Sequence, residues 1–83
     1  MIPITTSEQA IEVGSHLRLC EAYQLLQARK NALKKSAYAL SIMRTFDRQD
    51  KEYKQFFNLA SHYATEAQLY REAIQAFLGT VKN

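Results

Sequence analysis

Tryptophan is absent from this chain of 83 residues, cysteine and proline occur once each, and glycine twice. So few turn formers exclude a β-sandwich, a barrel and a glycine-rich phosphate loop, all of which are built on tight turns. One cysteine excludes an internal disulfide framework, and cysteine and histidine do not occur at metal-ligand spacing. The apolar runs fall far short of the roughly 20 residues that span a bilayer. The stretch from Met1 to Gln9 has neither a basic nor an apolar region of signal-peptide type. What remains is 47% hydrophobic, a globular figure, in 9.6 kDa. We therefore expect one helical domain over 1–83, in the cytoplasm, without a membrane association or a cofactor.

The charge is polarised. Eleven bases oppose eight acids, and eight of the bases lie between Arg29 and Lys54. They are Arg29, Lys30, Lys34, Lys35, Arg44, Arg48, Lys51 and Lys54, and only Asp47, Asp50 and Glu52 oppose them in that stretch. A fold that keeps these residues together has one basic end.

Residues 1–5 read as an extended lead-in, because Pro3 disfavours helix at Ile2. Thr5 with Glu8, and Thr6 with Gln9, form two overlapping capping boxes, which starts a helix near residue 6. Helix one is expected over 6–46, with a bend at Gly14, since 15–46 has no glycine or proline. Asp47 is a natural N-cap for helix two over 48–78, with Asp50 in its first turn and Lys51 and Lys54 four residues after the two acids. Gly79 is the natural stop, and 79–83 a tail.

Periodicity carries the fold class. In helix two Phe56, Tyr63, Tyr70 and Phe77 recur every seven residues, with Tyr53, Ala60, Ala67 and Ile74 on the adjoining row. In helix one Leu19, Leu26, Leu33 and Leu40 recur every seven, and these two rows are the expected coiled-coil seam. Both apolar arcs are wider than one seam requires. Ala22, Leu25, Ala32, Ala39 and Met43 flank the leucines; Phe57, Leu59, Leu69 and Leu78 flank the aromatic rows. The expectation is an all-α antiparallel hairpin of two long helices, with room for a short N-terminal helix, completed by dimerisation or by a partner.

No set of residues reads as an active site. His16 and Cys20 stand four apart, so one helix face could bring them together. Thiol chemistry also needs an orienting group and an oxyanion hole, which two straight helices do not build. Cys20 reads as a small buried filler. Glu8 and Glu12 lie one turn apart with no cleft to work in, and read as a solvated face. The chain is therefore not expected to be an enzyme.

Tyr70-Arg71-Glu72-Ala73-Ile74-x-x-Phe77 resembles the second helix of a tetratricopeptide repeat, but a single stretch makes no array. In size and helix layout the chain is similar to the small hairpin co-chaperones of type III secretion needle subunits and to small phage-encoded inhibitors, a likeness that carries over no residues. The expected function is binding of another protein, acidic in character, by an inhibitor, adaptor or co-chaperone. Its tools would be Phe57, Leu59, Leu69 and Leu78 together with the basic end. The alternative is a dimeric nucleic-acid-binding regulator that tracks phosphates with the same eight bases.

Overall fold

The structure, a computed structural model, describes residues 4–81. Those residues form three helices and no strand: α1 (Ser7–Ser15), α2 (Leu19–Met43) and α3 (Lys51–Val81). The expectation for Ile2 and Pro3 lies outside the described residues.

The Thr6 cap forms as expected, whereas the Gln9 side chain takes another partner. Thr6 is the N-cap of α1, and its side chain accepts from the Gln9 N–H at 3.2 Å. The Gln9 side chain reaches back one residue further, where its Oε1 accepts from the Thr5 N–H at 3.0 Å and from the Thr5 hydroxyl at 2.7 Å. Two side chains thus tie down donors at the helix start.

Helix one is not continuous. α1 ends at Ser15, His16 and Leu17 donate back to Val13 and Gly14, and Arg18 is extended before α2 begins. The Arg18 N–H donates to Glu21 Oε1 at 3.1 Å, so a glutamate in the first turn closes the new helix start. Gly14 lies in the last turn of α1, one residue before its end. It is buried, and a Cβ there would run into the Ala73 carbonyl oxygen and lie 2.8 Å from Ala76 Cβ. The glycine lets α1 sit directly on the backbone of α3.

The connection between α2 and α3 spans residues 44–50. The Asp47 N–H donates to Asp50 Oδ2 at 3.1 Å, and Asp50 adjoins the first residue of α3. The helix starts three residues later than expected from Asp47. At its other end α3 passes through Gly79 to Val81; Gly79 is exposed and surrounded by open space.

α2 and α3 pack side by side. Phe46 stacks on Phe56 with ring centroids 6.0 Å apart. The Ser36 hydroxyl donates to the Ala60 carbonyl at 3.0 Å, and Lys35 Nζ lies 5.4 Å from the centre of the Tyr63 ring. Leu25 shares a buried cluster with Leu69, Ala73, Ile74 and Ala10 of α1. Partners on α3 rise in number as those on α2 fall.

The buried row of α2 is Ala22, Leu25, Ala32, Ser36, Ala39 and Met43, with Arg29 half-buried between them. Its steps alternate three and four. The row facing it on α3 is Tyr53, Phe56, Ala60, Tyr63, Ala67, Tyr70, Ile74 and Phe77, all buried or half-buried. Large rings on α3 meet mostly small residues on α2, which lets the side chains interdigitate at close helix spacing. The Ser36–Ala60 hydrogen bond requires that closeness.

This register corrects the expected seam. Leu19, Leu26 and Leu33 are 77%, 39% and 45% exposed, and only Leu40 is half-buried. Two facing rows of bulky residues cannot both occupy one seam, and the aromatic rings of α3 take the space. The alanine-rich row takes the inner position on α2, and the leucines are turned one position outward.

Candidate functional site

The seam divides the outside of the α2–α3 pair into two flanks. One carries Lys35 and Ile42 from α2 and Leu59 from α3, which line a common groove with Tyr38 and Tyr63. Further along the same flank α1 lies on α3, with Ala10 and Gly14 buried and Ile4 and Leu17 packed on the cluster around Leu69 and Ala73. α1 therefore covers this flank around Leu69 and Ala73, and no residue of α1 lines the groove.

The opposite flank carries the leucine row, and no helix covers it. By the register set by Ser36 and Ala60, Leu40 lies at the height of Phe57, Leu33 of Ala64, Leu26 of Arg71 and Leu19 of Leu78. Phe57 is 51% and Leu78 49% exposed. Tyr23 and Ala37 of α2 widen the strip and are exposed as well. From Leu19 to Leu40 the strip runs for about 32 Å at 1.5 Å per residue. Isolated exposed leucines are ordinary, but an apolar strip of this length is uncommon on the surface of a soluble monomer.

Of the four apolar residues expected to meet a partner, Phe57, Leu59 and Leu78 are exposed and Leu69 is not. Leu69 faces α1 and belongs to the core. The residues that sequence reasoning missed are Leu19, Leu26 and Leu33, assigned to the seam when they form the longest exposed apolar row. The signal lay in α3, whose aromatic rows need small residues opposite.

The eight bases are not gathered into one patch. Arg29 is half-buried in the seam row, whereas the other seven are exposed. Lys34 and Lys35 line the groove; Lys30 and Arg44 border the leucine flank; Lys51 and Lys54 lie on the back of α3, and Arg48 in the connection. Among the described residues none of the eight makes an ion pair; the pairs present are Arg18–Glu21 at 4.0 Å and His62–Glu66 at 3.8 Å. Lys35 is instead held over the Tyr63 ring, a cation–π contact.

His16 and Cys20 do not share a helix. His16 stands in the turn after α1 and Cys20 in the first turn of α2, so the one-face geometry is lost. Cys20 is exposed, not a buried filler. Glu66 accepts from the Tyr70 hydroxyl at 2.8 Å. Burial, that hydrogen bond and repulsion by the same carboxylate raise the Tyr70 phenol above its ordinary value. Among the described residues no group of three or more His, Cys, Asp and Glu is placed to hold a metal ion. No described helix is long and apolar enough to cross a membrane.

No family model, curated protein or solved structure matches the chain.

Proposed function

We propose that this chain is a small non-enzymatic protein that acts in the cytoplasm by binding another protein, as an inhibitor, adaptor or co-chaperone. In this reading it is an antiparallel helical hairpin, braced at one end by α1, whose leucine flank is completed by the partner. The observation that carries the reading is the uncovered strip of Leu19, Leu26, Leu33, Phe57 and Leu78. A partner that buries it removes apolar surface from water at about 25 cal/mol per Å². The exposed Cys20 suits a reducing compartment, where a lone thiol stays free. The scatter of the bases over several faces favours this reading over a phosphate-tracking surface, which needs them in one stripe.

The test is affinity capture from the native host with the parent chain and with Leu26→Gln/Leu33→Gln. Both leucines lie outside the core, so the variant is expected to melt within a few degrees of the parent. The parent is expected to retain a protein that the variant loses. Phe57→Gln, on the other helix, supplies an independent change on the same strip. Retention of the same proteins by the parent and both variants would overturn the reading.

A further inference from the structure

The leucine flank is apolar in its middle and basic at its border, and it contains no acid. Lys30 and Arg44 border it on α2 and Arg71 on α3. The eight acids all lie elsewhere: Glu8 and Glu12 on α1, Glu21, Glu52 and Glu66 on the grooved flank, Glu72 on the back of α3, and Asp47 and Asp50 in the connection.

From this segregation we infer that the leucine flank is a seat for one amphipathic helix of a partner protein whose apolar stripe is bordered by Asp or Glu. This rests on the proposed reading of the chain as a protein-binding protein, and adds the shape and charge of what it binds. The strip from Leu19 to Leu40 matches a helix of about 21 residues. The small exposed residues Ala37 and Ala64 lie along it, so a third helix can approach the valley between α2 and α3 closely.

Charge selects this occupant over a second copy. Any pairing of the flank with itself would leave all three border cations without an acid opposite, and like charges at close range oppose association. A partner helix with acidic borders places a carboxylate against each of them. An anionic lipid surface offers the same charge, but it is flat, and the valley between two helices fits a ridge better than a plane.

The test uses two synthetic helical peptides of about 21 residues with one shared Leu/Ala stripe. One has Glu at the bordering positions, the other Lys. Fluorescence anisotropy is expected to show the Glu-bordered peptide bound at least about tenfold more tightly in low salt, with the difference shrinking as salt is raised to about 0.5 M. Lys30→Glu/Arg71→Glu should keep its melting temperature and reverse the preference. Equal affinity for both peptides, or binding of neither, overturns the inference. So does partition onto phosphatidylglycerol vesicles in place of peptide binding, or a concentration-dependent dimer that Leu26→Gln/Leu33→Gln dissolves. If host capture depends on the leucines while the peptides are not discriminated, the acidic helix fails and the binding reading stands. If capture ignores the leucines, that reading fails first.

Discussion

Tyr70 joins two kinds of interaction in one side chain. Its ring is half-buried in the row that faces α2, and its hydroxyl donates to Glu66 one turn earlier. Burial and the neighbouring carboxylate both disfavour the phenolate, so the proton is held more tightly in the folded chain than in the unfolded one. The contribution to stability is thus complete below the ordinary phenol value of about 10 and is lost as pH rises through the higher folded value. Tyr70→Phe keeps the ring and removes the hydrogen bond, at an expected cost of about 1 kcal/mol at neutral pH. In thermal melts across the alkaline range the gap between parent and variant should close above pH about 10. A gap that stays constant to high pH would mean that the proton on Tyr70 has no part in it.

Elements differ in how far their sequence announces them. The all-helical class was legible in the scarcity of glycine and proline, and the start of α1 in Thr5, Thr6 and Gln9. The inner row of α2 was not, because its residues are mostly alanine and serine, and the eye follows the largest apolar residues, which are the leucines. The break after α1 was legible only as a bend at Gly14, since His16, Leu17 and Arg18 include no turn former. Gly14 was read as a bend because a glycine inside a helix costs about 1 kcal/mol and asks for a reason; the reason is the backbone of α3. The exposed strip escaped notice for the same cause as the inner row, as the two are exchanged by one shift of register. The glycines make a paired test of this account. Gly79→Ala meets open space within α3 and should raise stability by up to about 1 kcal/mol. Gly14→Ala gains the same helix preference but must push the Ala73 carbonyl away, and overpacking of that kind costs about 1–3 kcal/mol. Urea melts should shift in opposite directions; a stabilised Gly14→Ala would mean that α1 does not sit as closely as described.

The whole molecule is a rod of 51 × 20 × 20 Å with a radius of gyration of 15.2 Å, where a compact chain of this length has about 12 Å. Its contacts are ordered along that rod. Phe46 and Phe56 meet across the short 44–50 connection, Ser36 and Ala60 across a longer stretch, and Gly14 meets Ala73 from opposite ends of the chain. Each later contact closes a larger loop, and loop closure costs entropy before any contact repays it. The rod should therefore zip from its connected end, with α1 docking after the rate-limiting step. In stopped-flow experiments Gly14→Ala is then expected to steepen no barrier to refolding and to speed unfolding by nearly the whole of its effect on stability. A refolding rate that falls with an unchanged unfolding rate would place α1 in the nucleus. On the expected order the nascent chain has no seat for α1 until the last turns of α3 have been synthesised, so α1, made before α2 and α3, is the last of the three to find its place.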